Sequence, residues 1–330
     1  MSVISSKALK GFRIVVTSHS LSSDPELIQL LNPFPFADIR LNRDVVLPGE
    51  RVLVELLSDR DAAIIGRERI DGPLLRRCPR LRVISKFGVG VDNIDFAACR
   101  RAGVAVVHSS GVNRRSVAEQ TLAFMISLFR QLHRSSIRLR EGEWIKEGGR
   151  QLSGKTIGVV GVGHIGREVI ELLRPFKCTV LGNDILDMRR YFSEHGIVAC
   201  GKTRLFRHAD LVTIHTPLTE KTVGMVDRRR LETMKMGAFL INTARGRIVV
   251  KNDLKWALQT GRLAGAALDV FEREPETDLE FLKLDNLICT PHVGGHAREA
   301  RRAMAEHAVS NLVSGLTETC RPDPQNPSES

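Results

Sequence analysis

Four polar segments in the second half of the 330-residue chain hold the residue types that proton transfer beside a bound anion requires. They are His215-Thr216-Pro217-Leu218, Thr243-Ala244-Arg245-Gly246, Phe271-Glu272-Arg273-Glu274-Pro275 and Pro291-His292-Val293-Gly294-Gly295. An imidazole has the side-chain pKa nearest neutrality, so it can both give and take a proton. A neighbouring carboxylate favours its charged form. A guanidinium offers a rigid fork that pins a carboxylate or polarises a carbonyl. Singly, each has a plain structural use as a loop histidine, a surface ion pair or a turn glutamate, so the elements that hold them must decide.

Each segment follows a short apolar run: LVTIH, AFLIN, AGAALDV and NLICT. Upstream, TIGVV (Thr156 to Val160) reads as a buried strand. Gly161-Val162-Gly163-His164-Ile165-Gly166 follows, and then a helical pattern with apolar Val169, Ile170, Leu172, Leu173 and Phe176. In a strand, G-x-G-x-x-G, helix unit the first glycine allows a tight bend, the second lets backbone approach a pyrophosphate and the third lets helix pack on strand. The helix N-terminus then faces the phosphates. A second strand, CTVLGND, ends in Asp184, where a carboxylate accepts hydrogen bonds from an adenosine ribose and repels a 2′-phosphate. This favours NAD, with Arg189 and Arg190 just beyond keeping NADP open. Strands alternating with helices predict a doubly wound parallel sheet, whose ligands lie beyond the carboxyl ends of the strands.

Composition bounds the rest. The length predicts two domains, and 42% apolar content with no run near 20 apolar residues predicts a protein that does not span a membrane. The first residues lack the pattern of a signal peptide, so a cytoplasmic protein is expected. The six cysteines have neither zinc-site nor disulfide spacing and are expected to be buried reduced thiols; no metal is expected. The net charge of +11 is spread in arginine twos and threes with one tyrosine, which argues against nucleic acid and for a basic surface facing anionic substrates.

The segments HTPLTEKTVGMV, NTARGRIV, GAALDVFEREP and TPHVGG, with LRVISKFGVGVDNID and GVNRRSVAEQTL nearer the N-terminus, resemble in order and spacing the signatures of the D-isomer-specific 2-hydroxyacid dehydrogenases. The resemblance covers nearly the whole chain and looks most like short phosphoglycerate-dehydrogenase-type members without a regulatory domain. It implies two doubly wound parallel-sheet domains, with a Rossmann-type cofactor domain (109–296) inserted into a flavodoxin-like, discontinuous substrate domain (1–108 and 297–330).

The resemblance gives Arg245, Glu274 and His292 the roles of the catalytic triad, and Asp269 that of holding the nicotinamide amide. Contacts to NAD are implied for Gly161, Gly163, His164, Ile165, Gly166 and Asp184 around the turn. They are also implied for His215, Thr216, Pro217, Thr222, Thr243, Ala244, His292 and Gly294 after the later strands. For the substrate it implies the Val89 and Gly90 N–H groups as a nest for the carboxylate, with Lys86 as a cation and Asn113 as a bordering polar group. The reaction is hydride transfer between a D-2-hydroxy acid and its 2-keto acid. The other reading of the same fold is an NAD-sensing corepressor or scaffold. A homodimer built through the cofactor domain is implied, with TLAFMISLF as part of its interface.

The chain departs from the family pattern in three places. Arg247 and Val250-Lys251 replace a glycine and an acidic pair, leaving Asn252 or Asp253 to cap the next helix. His296 stands where a serine or threonine is usual. Gly66, followed by Arg67, stands where phosphoglycerate enzymes tend to carry a phosphate-binding arginine. The basic charge and Lys86 suit a phosphorylated or phosphonylated substrate, whereas Gly66 argues against 3-phosphoglycerate itself. The tail RPDPQNPSES is expected to be disordered.

Overall fold

The computed structural model describes residues 9–319; the expectation for the tail lies outside them. The chain divides into two compact units, one running to Asn113 and resuming at Arg298, the other Arg114–Ala297.

The first unit holds a five-stranded parallel sheet of β1 (Arg13–Val16), β2 (Asp38–Leu41), β3 (Ala62–Ile65), β4 (Val83–Lys86) and β5 (Ala105–Val107), ordered β2-β1-β3-β4-β5. The order reverses between β1 and β3, which makes their carboxyl ends the natural ligand edge. β3 and β4 are buried at every position, as a sheet covered on both faces requires. The helix Arg298–Thr319 returns to this unit and buries Met304, Ala305, Ala308, Leu312 and Leu316 in its core. Its Ala308 carbonyl accepts the Ser85 hydroxyl at 2.7 Å.

The second unit holds seven parallel strands: β6 (Thr156–Val160), β7 (Thr179–Asn183), β8 (Val198–Ala199), β9 (Leu211–Ile214), β10 (Ala238–Asn242), β11 (Leu263–Leu268) and β12 (Leu287–Cys289). Their order is β12-β11-β10-β9-β6-β7-β8, reversing between β6 and β9, beside the glycine turn. The helix Arg114–Arg130 buries Val117, Ala118, Thr121, Phe124, Met125, Leu128 and Phe129, the stripe that a 3.6-residue period gives an amphipathic helix. Phe129 meets Phe239 of β10 edge to face, 4.9 Å between ring centres. TLAFMISLF is therefore chiefly core of its own unit: Phe124, Met125, Leu128 and Phe129 stabilise it by about 2 kcal/mol each, and only Leu122, Ala123, Ile126 and Ser127 retain exposure.

The helix after the Arg245 segment, Lys251–Gln259, has Val250 at its N-cap and no side-chain cap, contrary to the expected Asn252 or Asp253. Asp253 lies in the first turn and its carboxylate accepts the Arg228 N–H at 2.9 Å, so it is committed to a neighbouring helix. Lys251 pairs with Glu276 at 3.3 Å and Asp278 at 3.5 Å, offsetting a cation at the positive end of a helix. The cysteines described are all free, but only Cys78 and Cys99 are buried; Cys178, Cys200 and Cys289 are partly exposed.

Candidate active site and cofactor turn

The glycine turn joins β6 to the helix His164–Leu173, with Gly163 at its N-cap. A Cβ on Gly166 would stand 2.1 Å from the Gly161 carbonyl oxygen, and one on Gly161 2.7 Å from that of His215; a Cβ on Gly163 would meet nothing within 4 Å. Two glycines thus permit packing, and the middle one faces open space. Asp184 accepts the Val162 N–H at 2.7 Å and the Leu186 N–H at 2.9 Å, which ties the end of β7 to the turn. Arg189 is bidentate on Asp187, whose carboxyl it holds down to about 2, and Arg190 pairs with Glu194.

Beside the turn, the Thr216 hydroxyl and His215 Nδ1 are sealed from solvent without a partner among the described residues. Although His215 as a whole is partly exposed, the surroundings of the ring govern its charge, and their burial pushes its pKa down to about 3. Its Nε2 lies 2.9 Å from the Thr213 hydroxyl. The Thr222 hydroxyl closes the following loop by donating to the Pro217 carbonyl at 2.7 Å.

Three further loops leave the same edge of the sheet. After β10, the fully buried Asn242 accepts the Ala244 N–H at 3.0 Å and donates to the Arg245 carbonyl at 2.9 Å. Thr243 is buried beside Thr121, their hydroxyls 3.3 Å apart. Gly246 then passes so close to the loop after β11 that a Cβ would fall 1.9 Å from the Phe271 carbonyl carbon. Only glycine allows these two backbones to meet.

The loop after β12 carries His292 at φ 56°, a left-handed conformation that costs a non-glycine residue of order 1 kcal/mol. Asp269, 2% exposed, holds that loop by accepting N–H groups from Val293 at 2.9 Å and Gly294 at 2.8 Å, and the Thr290 hydroxyl at 2.5 Å. Gln120 donates to Thr290 at 2.8 Å, and Ser116 donates to the Gly294 carbonyl at 2.5 Å. His292 Nδ1 lies 2.9 and 2.8 Å from the two Glu274 carboxylate oxygens. One imidazole nitrogen is thereby fixed as a donor, and Nε2 has no partner among the described residues.

The family model of the D-isomer specific 2-hydroxyacid dehydrogenase, NAD binding domain, matches residues 122–294. The glyoxylate reductase of Thermococcus litoralis is 34% identical over 288 residues, which cover 84% of this chain and 87% of that protein. The chain belongs to the D-isomer specific 2-hydroxyacid dehydrogenases. The D-3-phosphoglycerate dehydrogenase of Methanocaldococcus jannaschii is also 34% identical over 84% of this dehydrogenase, which spans only 54% of that longer relative. Among solved structures, the D-lactate dehydrogenase of Aquifex aeolicus complexed with NAD and lactic acid matches with a TM-score of 0.80 at 28% identity, over 93% of this chain and 97% of that one.

This dehydrogenase is an NAD-dependent oxidoreductase. The open face at Gly163, the Asp184 carboxylate and the sealed Thr216 hydroxyl and His215 Nδ1, which have no partner among the described residues, fit a dinucleotide. No helix among the described residues is long and apolar enough to cross a membrane, and no group of three or more metal-ligating side chains occurs among them.

The first unit holds the remaining expected residues. The loop after β4 turns at Gly88, φ 114°; the partly exposed Val89 and Gly90 follow. Lys86 is 5% exposed and donates to the Gly66 carbonyl and, at 3.1 Å, to Asn93; it is neither a solvated lysine nor an open surface cation. Asn113 Oδ1 is sealed without a partner among the described residues. Arg247 and His296 are both exposed. Asn242, Thr290, Ser116, Gln120 and Glu68 escaped the sequence reading. Asn242 and Thr290 carry the signal that was there, a polar residue ending an otherwise apolar strand, whereas Ser116, Gln120 and Glu68 had none.

Proposed function

We propose that this dehydrogenase interconverts a D-2-hydroxy acid and its 2-keto acid, with His292 as general acid and base. The observation that carries this is the bond of His292 Nδ1 to both oxygens of Glu274, 2.8 and 2.9 Å away. The carboxylate fixes the tautomer and ring orientation, so Nε2 gives a proton to the forming alkoxide in reduction and takes one from the hydroxyl in oxidation. Arg245, on the loop clamped by Asn242, pins the substrate carboxylate and polarises the carbonyl. NAD, when bound, supplies or accepts the hydride. Asp269 arranges the His292 loop, and the lone-pair capacity it retains is available to the nicotinamide amide.

In the first unit, the Val89 and Gly90 N–H groups bind the carboxylate, and Asn113 offers a further polar contact. The glyoxylate reductases and D-3-phosphoglycerate dehydrogenases among the relatives point to a small acid. A homodimer through the second unit fits the exposed apolar Leu132, Leu139, Trp144 and Ile145, and a cytoplasmic setting suits the free cysteines. Purified protein with NADH and a panel of 2-keto acids is the test. Oxidation of NADH by at least one acid supports the enzyme; bound NADH with no turnover on any acid gives the site to the sensor reading.

A further inference from the structure

At the point where the first sheet reverses its order, the carboxyl end of β3 runs into Gly66, and its neighbours close the edge from within. Glu68, 2% exposed, folds its side chain back so that its carboxylate accepts the Gly66 N–H. A Cβ on Gly66 would stand 3.0 Å from the Ser18 hydroxyl, just past β1, and 3.4 Å from the Glu68 carboxylate, so that carboxylate sits at the switch point itself. The Gly66 carbonyl is taken as well, by the Lys86 ammonium and by Asn93 at 3.2 Å, while Asn93 also donates to the Glu68 carbonyl at 2.6 Å. The Gly66 N–H, the backbone donor an anion would seek there, is thus already taken by the protein. The buried Lys86 ammonium is held on the Gly66 carbonyl and the Asn93 amide oxygen, and the buried Glu68 carboxylate lies on the N–H side of the same residue.

We infer that Glu68 is a specificity-determining residue that turns away acids bearing a second anionic group, so that the substrate is a 2-keto acid with a small uncharged tail. The inference rests on the reading that the Val89 and Gly90 loop, which follows the adjacent strand, binds the substrate carboxylate. A phosphoryl group extending from that loop toward β3 would lose its water shell, find the Gly66 N–H already occupied and approach a buried carboxylate. Like charges a few ångströms apart in a partly desolvated site disfavour binding on the order of 100-fold. An uncharged hydroxymethyl group or a hydrogen meets no such repulsion. The basic surface draws anions generally, so selectivity against a second charge falls to the Glu68 carboxylate.

Hydroxypyruvate and 3-phosphohydroxypyruvate differ only in the phosphoryl group, so their kcat/KM ratio with NADH reads the proposal directly. The wild-type protein should favour hydroxypyruvate on the order of 100-fold, and Glu68→Gln should narrow the ratio at least tenfold, chiefly through KM of the phosphorylated acid. A wild-type ratio within a few fold of unity overturns the proposal, as does an unchanged ratio in a Glu68→Gln protein that still reduces hydroxypyruvate. Calorimetric binding of D-glycerate and 3-phospho-D-glycerate to the wild-type protein decides the matter without a variant: both keep the 2-hydroxyl, so weaker binding of the phosphorylated acid supports the proposal, and equal or tighter binding overturns it. If NADH binds but neither keto acid is reduced, the catalytic reading fails while these binding constants still decide the selectivity.

Discussion

Asp269 and Glu68 are both 2% exposed, both lie just beyond the carboxyl end of a parallel strand, and both accept backbone N–H groups, yet they shape their loops in opposite ways. Asp269 draws its donors from residues 24 and 25 positions away, and the loop it gathers carries His292 at positive φ. Glu68 takes its donor from two residues away and closes the end of its own strand. A buried carboxylate at a strand end can therefore open a site or restrict it. The sequence distance to its donor decides which, because a distant donor brings a second loop to the edge and a near one only folds the first loop down.

The largest effect is expected at Asp269. In Asp269→Ala the Val293 and Gly294 N–H groups lose their acceptor, at about 1–3 kcal/mol for each donor left buried, and only Ser116, Gln120 and Glu274 remain to hold the His292 loop. The expected result is a loss of kcat/KM of roughly a thousandfold with a clear drop in Tm. Near-normal turnover would show that the loop orders itself without the carboxylate.

His215 gives a smaller, pH-dependent effect. Its ring is held neutral with a pKa of about 3, against 6.5 for an ordinary imidazole. Below about pH 6.5 the unfolded chain binds a proton that the folded chain refuses, so stability falls as pH falls toward 3, at most by about 1.4 kcal/mol per unit. Denaturant titrations from pH 7 to pH 4 should show a shallower acid loss in His215→Gln than in the wild-type protein; parallel curves would contradict the buried neutral ring.

The smallest effect is expected at Gln120, whose amide supports Thr290 from the helix Arg114–Arg130. Gln120→Leu should cost about 1 kcal/mol and lower kcat several fold with little change in KM, because the hydrogen bond steadies the His292 loop without touching the acid. A change in KM alone would assign Gln120 to the substrate instead.

These residues also mark where the sequence was legible. The strands, the glycine turn and the polar segments after each strand follow from local patterns, since apolar runs and glycine spacing act over a few residues. The clamps were not legible. Gln120 meets Thr290 across 170 residues and Ser116 meets Gly294 across 178, and no local pattern marks such a pair. The expected helix cap failed for the same reason: Asp253 had a better donor in Arg228, 25 residues back. Lys86 was legible as a cation at a strand end, but its burial against Gly66 and Asn93 depends on how two loops meet.

His292, held by Glu274, is the group proposed to move the proton. Steady-state reduction of the best keto acid by His292→Ala, together with NADH titration of the same preparation, tests it most directly. The account predicts a fall in kcat of about 10²–10⁴ with NADH affinity and Tm close to wild type. Retained kcat, or a loss that tracks unfolding alone, would contradict it.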